Sequence, residues 1–157
     1  MSKDEKYQLL MEQIEALVEG ESDDVGIMAN VAAAIHEAMG FWWTGFYRVL
    51  PVVLGSATQY ELRLGPFQGP VACMHIGYGR GVCGTAWQRG ETVIVPDVEQ
   101  FPGHIACSSL SRSEIVVPLY NKEGEVVAVL DIDSKELSAF DETDKRWLER
   151  ICGLLAK

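Results

Sequence analysis

The 157-residue chain has few basic residues, with 13 Lys and Arg against 23 Asp and Glu, so its formal net charge is −10. A surface of this sign repels the phosphate backbone of nucleic acids and the headgroups of anionic membranes. We therefore expect no nucleic acid and no membrane among its partners. Small molecules and other proteins remain as candidates.

The sequence also has no apolar run as long as a membrane span and no Asn-x-Ser/Thr acceptor. Acidic residues are frequent among the first twenty, which is not typical of a signal or transit peptide. We expect a cytoplasmic protein, in a compartment that keeps thiols reduced. The four cysteines are therefore expected to be catalytic, metal-binding or simply buried rather than joined in structural disulfides.

Apolar residues are spaced as in helices at both ends of the chain and as in strands between them. Helices are predicted over residues 3–19, 24–39, 82–89 and 140–156. Strands are predicted over residues 41–50, 60–64, 71–76, 93–95, 115–120 and 125–132. Glycine, proline and serine indicate loops or turns at 51–59, 64–69 and 97–113. Helices around mostly hairpin-linked strands indicate an α+β domain on a largely antiparallel sheet.

A serine-rich segment from Gly103 to Glu114 carries Cys107, with His104 three residues before it and Arg112 five residues after it. Such a segment suits a loop better than a core. A thiol beside His and Arg can have a lowered pKa, and the thiolate is the reactive form. The alternative is an ordinary free cysteine, which is usually buried and inert.

Two other motifs compete for a function. The run Gly79–Gly84 matches GxGxxG, but the following helix is short and the later strands form hairpins, which favours a tight glycine turn over a dinucleotide site. A zinc site can be imagined among several scattered side chains that lack paired ligand spacing, so no metal is expected. These side chains are Cys73, His75, Cys83, His104 and Cys107.

A redox interpretation uses Cys73, Cys83 and Cys107, which lie in or beside predicted loops and could approach one another. Cys152 lies among apolar residues of the last helix and is expected to be a core residue. Trp43 and Tyr47 are candidates for the apolar wall of a pocket, although Trp42 and Phe46 could equally belong to the core.

The carboxyl groups supply a further clue. Asp131 and Asp133 alternate along one strand and so point to one face, and Glu114 begins the strand before it. They are either solvated residues at a strand end or a cluster that binds an ammonium group and holds a proton.

Six motifs together resemble the free methionine-(R)-sulfoxide reductases, which are stand-alone GAF-domain enzymes. The resemblance covers roughly residue 20 to the C-terminus, and a longer loop at 51–59 and the extra Cys152 depart from it. The motifs are Trp43-Thr-Gly-Phe-Tyr47, Leu64-Gly-Pro-Phe-Gln-Gly69, Gly79-Arg-Gly-Val-Cys-Gly84, Gly103-His-Ile-Ala-Cys107, Ser113-Glu114 and Val129-Leu-Asp-Ile-Asp-Ser134.

The resemblance implies one GAF domain over residues 1–157, with a roughly six-stranded antiparallel sheet flanked by helices, usually as a homodimer. It implies reduction of free methionine (R)-sulfoxide without a cofactor, with thioredoxin restoring the enzyme. By this resemblance Cys107 is the attacking cysteine, Cys73 the resolving one and Cys83 a third of less settled role. The residues that it implies around the substrate are Trp43, Glu114, Asp131 and Asp133. The alternative is a non-catalytic GAF-type sensory module that binds a small ligand.

Overall fold

The computed structural model describes residues 1–104 and 109–156. Within these ranges, four α-helices flank a six-stranded sheet. The helices are α1 (Lys3–Val18), α2 (Asp24–Met39), α3 (Gly81–Arg89) and α4 (Glu142–Leu154), with a 3₁₀ turn at Val98–Gln100. The strands are β1 (Trp43–Leu54), β2 (Ala57–Gln68), β3 (His75–Ile76), β4 (Val93–Val95), β5 (Ser113–Tyr120) and β6 (Val126–Ser134). None of the helices in the described part of the chain is long and apolar enough to cross a membrane.

The sheet has the strand order β3-β2-β1-β6-β5-β4, and every pairing in it is antiparallel. Four of the five pairings join strands that follow each other in sequence, as hairpin-linked strands do. The predicted α+β class with a mostly antiparallel sheet is therefore confirmed.

The two faces of the sheet bury different side chains. One face packs Phe46, Ile115 and Leu130 against α1, α2 and α4, and this is the larger core. The other face carries Trp43, Tyr47 and Val129 toward α3 and the loops around it. Because successive residues of a strand point to opposite faces, β1 supplies Phe46 to the larger core and both Trp43 and Tyr47 to the other face. The candidate site lies on this second face.

Helix ends follow the sequence signals for capping. Asp23 accepts a hydrogen bond from the N–H of Val25 at the start of α2, and Gly40 ends that helix with φ of 69°. Asp141 caps α4 by accepting from the N–H groups of Thr143 and Asp144. The last helix therefore begins at residue 142 rather than at the predicted 140, because Asp141 occupies the cap.

The predicted loop at 51–59 is wrong. Strand β1 continues to Leu54 and β2 begins at Ala57, so only Gly55 and Ser56 form the connection, with φ of 65° at the glycine. Pro51 lies within this extension and is opposite Tyr60. A proline is tolerated there because β6, the other neighbour of β1, pairs with it only as far as Arg48.

The predicted turn at 64–69 is a bulge inside β2. Gly45 pairs with Phe67 and Tyr47 with Leu64, so two residues of β2 lie opposite Phe46 alone. Gly65 and Pro66, which suggested a turn, are these two residues, and the one additional residue bends the strand.

The predicted strand at 71–76 is limited to His75–Ile76. The preceding segment is held by one backbone hydrogen bond, from the Leu64 N–H to the Met74 carbonyl, and by two side chains. The indole N–H of Trp43 donates to the Pro70 carbonyl at 2.9 Å. The Tyr47 hydroxyl donates to the Cys73 carbonyl, also at 2.9 Å. Cys73 therefore precedes the strand instead of lying on it.

The glycine motif forms a tight turn at the start of α3. The Gly79 N–H donates to the Gly84 carbonyl, and the Gly84 N–H donates to the Arg80 carbonyl. A Cβ on Gly84 would lie 2.5 Å from the carbonyl oxygen of Gly77, so no larger residue fits without moving the backbone. This confirms the structural interpretation of the motif.

We predict that Gly84→Ala lowers the free energy of unfolding by about 1–3 kcal/mol, the usual cost of overpacking. Chemical denaturation followed by circular dichroism measures this. Gly153→Ala on α4 is the matched control, because a Cβ there meets nothing within 4 Å. The control should leave stability unchanged or raise it by up to about 1 kcal/mol. Equal effects at the two positions would contradict the packing argument.

Candidate active site

Three carboxyl groups gather where β5 and β6 pair. Glu114 lies directly opposite Asp133, and Asp131 lies opposite Val116, two residues further along β5. All three therefore share one face of the sheet. Glu114 and Asp131 are each only 6% exposed, and Asp133 is half-buried. The prediction that Asp131 and Asp133 share a face is confirmed, and Glu114 joins them across the strand pair.

Burial and mutual repulsion make these acids hard to ionise. The pKa of Glu114 lies well above its usual value, first because of burial and then because of the charges of Asp131 and Asp133. Burial and the charge of Asp131 likewise raise the pKa of Asp133 well above its usual value. Burial also raises the pKa of Asp131, although hydrogen bonding by Glu114 and Cys83 opposes the rise. The cluster therefore retains protons to a higher pH than exposed carboxyl groups do.

The hydrogen bonding of the cluster is incomplete. The Ser111 hydroxyl donates to Oδ1 of Asp133 at 3.1 Å. In contrast, Oδ1 of Asp131 is buried and has no hydrogen-bond partner among the described residues. A buried acceptor without a donor is costly, and a ligand that supplies one would relieve the cost.

Cys83 adds a thiol to the cluster. It lies in the first turn of α3, and its Sγ is 3.9 Å from Oε2 of Glu114. Burial, followed by the charges of Asp131, Glu114 and Asp133, raises the pKa of this thiol well above its usual value. Cys83 is therefore held in the protonated form, which is a poor nucleophile.

Aromatic rings form one side of the pocket above the acids. The ring of Trp43 stacks on that of Phe67, with centroids 5.3 Å apart, and lies 6.1 Å from that of Tyr47. Both Trp43 and Tyr47 line the pocket, as expected, and so does Trp42. Phe46 instead points into the larger core on the opposite face. The sequence left Trp42 and Phe46 undecided because both flank the residues that line the pocket.

The cysteines differ in state and position. Cys73 is disulfide-bonded, whereas Cys83 and Cys152 carry free, buried thiols. Cys152 packs in the larger core, as expected, and burial raises its pKa. Cys107 falls in 105–108, outside the described residues.

Only one of the two basic residues singled out near Cys107 lines the pocket. His104 does, and burial lowers its pKa while the charge of Asp131 opposes the change. Arg112 is exposed and is not among the described residues that line the pocket.

The imagined zinc set does not assemble in the part of the chain that the structure describes. His75 is exposed and its ring nitrogen Nδ1 is hydrogen-bonded with Glu61 on β2, away from the pocket lining. A different group of possible metal ligands does meet, namely Cys83, Glu114 and Asp131. Sequence spacing could not find it, because its members come from α3, β5 and β6.

Sequence reasoning also missed polar side chains at the pocket. Arg80, the residue before α3, and Ser111 both line it. Arg80 lies within the glycine motif, which was treated only as a turn, and Ser111 was one of several serines in a loop. Neither position has a periodicity that points to a pocket.

Comparison with known proteins gives the family. The chain matches the model of the GAF domain over residues 10–157. It is 56% identical to GAF domain-containing protein A from Dictyostelium discoideum, over 98% of this chain and 92% of that protein. It is 40% identical to a free methionine-R-sulfoxide reductase from Saccharomyces cerevisiae, over 100% of this chain and 87% of the relative.

A solved structure agrees with these relatives. The X-ray structure of free methionine-R-sulfoxide reductase from Neisseria meningitidis, in complex with its substrate, is 50% identical to this chain. It superposes with a TM-score of 0.89, over 99% of this chain and 89% of that one. The chain belongs to the free methionine-R-sulfoxide reductase family of GAF domains. The resemblance seen in the sequence motifs is thereby confirmed for the family and for the GAF fold.

We predict that the free energy of unfolding falls as the pH rises from the usual carboxyl range toward neutrality. Acids with raised pKa values bind more protons in the folded state than in the unfolded state over this window, so the slope is negative. Each such group contributes at most about 1.36 kcal/mol per pH unit. Asp133→Asn should flatten the slope and stabilise the fold at pH 8.

Denaturant titrations between pH 4 and 8 measure this dependence. Glu142→Gln, an exposed change on α4, is the matched control and should leave the slope unchanged. A wild-type protein whose stability rises steadily over this range would contradict the assignment of the cluster.

Proposed function

We propose that this protein reduces free methionine (R)-sulfoxide to methionine by thiol chemistry. The observation that carries the proposal is the buried cluster of Glu114, Asp131 and Asp133 beneath an aromatic wall. The names of the yeast relative and the Neisseria structure support the same substrate. The chain is then an oxidoreductase without a cofactor.

The pocket suits a free amino acid. The substrate ammonium is placed against the acids, where it donates to the unpartnered Oδ1 of Asp131. Trp43 and Tyr47 contact the methyl group and the methylene carbons, which gain from leaving water. A methionine within a peptide has an uncharged amide nitrogen instead and would leave the acids unpaired.

Cys107 is assigned as the nucleophile. Its thiol sulfur attacks the sulfoxide sulfur, and the sulfoxide oxygen is transferred to Cys107 as methionine leaves. Cys107 is oxidised to a sulfenic acid and the sulfoxide is reduced to a thioether. Negative charge develops on the sulfoxide oxygen during this step. A carboxyl group with a raised pKa, such as Glu114, is suited to protonate it.

Cys73 is assigned as the resolving cysteine. Its thiol condenses with the sulfenic acid of Cys107 to form a disulfide and one molecule of water. The dithiol of thioredoxin then reduces this disulfide and becomes oxidised itself. The disulfide-bonded state of Cys73 supports its capacity for such exchange. Cys83 has a raised thiol pKa, so we give it no part in the first attack.

We further propose a single domain over residues 1–157 that acts in the cytoplasm as a homodimer and protects against oxidative stress. The alternative function is a GAF-type sensory module that binds its ligand without turnover. Consumption of a dithiol reductant on addition of racemic methionine sulfoxide separates the two, because a binding module consumes none.

We predict that Cys107→Ser abolishes this consumption while the fold remains intact, because a hydroxyl is a far weaker nucleophile than a thiolate. Dithiothreitol oxidation and methionine release are measured together. Cys152→Ser is the matched control, since Cys152 is a buried free thiol in the larger core, and it should keep turnover within about threefold of wild type. Appreciable turnover by Cys107→Ser would remove the assigned nucleophile.

We also predict that N-acetylation of the substrate lowers kcat/KM by about 10- to 100-fold. The acetyl group removes the ammonium, whose charge-assisted hydrogen bond is worth about 1.5–3 kcal/mol, and 1.4 kcal/mol is about tenfold. Free methionine (R)-sulfoxide and its N-acetyl derivative are compared with the same reductant. Equal kcat/KM values would refute the carboxylate pocket even if Cys107 were the nucleophile.

Asp131→Asn sharpens this comparison. The amide keeps the shape of the side chain but removes its negative charge. The ratio of kcat/KM for free methionine (R)-sulfoxide to that for its N-acetyl derivative should therefore fall. Glu142→Gln, which is exposed and distant in the fold, should leave the discrimination as it is in wild type.

A further inference from the structure

Three buried side chains of different chemistry converge at the base of the pocket. Cys83, Glu114 and Asp131 each offer one ligand atom, and these atoms all lie within 4.8 Å of one another. They are held by α3, β5 and β6, which are fixed by the hydrogen bonding of the sheet and the packing of α3. A thiol and two carboxyl groups are more than an amino acid needs for its ammonium.

The separation of one pair of these atoms is close to that in a tetrahedral metal site. Zn²⁺ binds thiolate sulfur at about 2.3 Å and carboxylate oxygen at about 2.1 Å, which places the two ligands about 3.6 Å apart at a tetrahedral angle. The observed separation between Sγ of Cys83 and Oε2 of Glu114 is 3.9 Å. If either side chain rotated so that its ligand atom moved by a few tenths of an ångström, the separation of the two atoms would match that of a tetrahedral site.

An independent observation points to a ligand at this place. Oδ1 of Asp131 is buried without a hydrogen-bond partner, in a residue that is only 6% exposed and lines the pocket. With Asp133 beside it, the site brings three potential negative charges together in a chain of net charge −10. Arg80 lines the same pocket, but among the described residues no salt bridge joins a Lys or Arg to Glu114, Asp131 or Asp133.

The ligand set also selects among cations. Mg²⁺ and Ca²⁺ require six or more oxygen ligands, and the thiol makes this set unsuitable for them. A thiolate with two carboxylates suits Zn²⁺ or Co²⁺ with one position left open. Binding would displace the thiol proton, as it does at other cysteine ligands.

We propose that this pocket binds Zn²⁺ reversibly through Cys83, Glu114 and Asp131, and that the bound ion excludes the sulfoxide substrate. The ion is an inhibitor here and not a resident cofactor. Exclusion follows because the metal takes the same carboxylate oxygens that face the substrate ammonium. This exclusion rests on the proposed function, whereas metal binding itself does not.

Cobalt is the probe for the test, because Co²⁺ accepts the same ligands as Zn²⁺ and its thiolate bond gives a charge-transfer absorption band. The full-length protein in its disulfide-bonded form is titrated with Co²⁺. We expect one ion per chain with a thiolate band, which Zn²⁺ bleaches by displacement and a chelator abolishes. Absence of the band would overturn the proposal.

Variants identify the ligands. Cys83→Ser should remove the band, while Cys152→Ser should keep it, because Cys152 is a buried free thiol outside the pocket lining. Glu114→Gln should weaken Co²⁺ binding at least about tenfold, with circular dichroism confirming the fold. A band that survives in Cys83→Ser would overturn the assignment.

Competition is measured separately. Methionine sulfoxide should bleach the cobalt band, and Zn²⁺ should raise the apparent KM for the sulfoxide without changing kcat. A cobalt site that sulfoxide does not displace would overturn the exclusion. If the band forms as expected but no sulfoxide is reduced by the metal-free protein, the metal site stands and the proposed function fails.

Discussion

The pairing of β5 with β6 is the constraint on which the site depends. Its register places Glu114 opposite Asp133, and Asp131 lies two residues along β6 on the same face. The backbone therefore brings the three acids together, with Glu114 and Asp131 buried. Such an arrangement is unfavourable by itself, because burial disfavours each charge and each charge disfavours the next. The opposite face of the same two strands is mostly apolar and packs against three helices. Burial of the apolar side chains on that face offsets the unfavourable free energy of burying the acids.

The aromatic wall connects the pocket to the cysteine segment. Tyr47 and Trp43 line the pocket with their rings, and their polar atoms donate to the carbonyls of Cys73 and Pro70. Two hydrogen bonds from one wall thus fix a segment that has no ladder of its own. The position of the Cys73 backbone is thus tied by hydrogen bonding to a side chain that lines the pocket.

Much of this architecture can be predicted from the sequence, for identifiable reasons. Alternation along Leu130–Ser134 places Asp131 and Asp133 on one face, because a strand repeats every two residues. The meeting of Glu114 with Cys83 depends on strand register and on the placement of α3, which no local pattern records. The segments 51–59 and 64–69 were mispredicted because glycine and proline occur in bulges and at free strand edges as well as in turns. The family could be identified because all six motifs occur together in one chain, whereas any one of them alone would be a weak signal.

The long hairpin of β1 and β2 extends beyond the rest of the sheet with Val53, Leu54 and Tyr60 exposed. An open strand edge with apolar side chains invites pairing with another chain and leads toward aggregation. Pro51 lies in this edge, and having no N–H it cannot continue a ladder with an incoming strand. Pro51, which resembles a turn signal in the sequence, therefore disfavours pairing of this edge with a strand of another molecule. The hairpin can then extend into solvent with a lower tendency to aggregate.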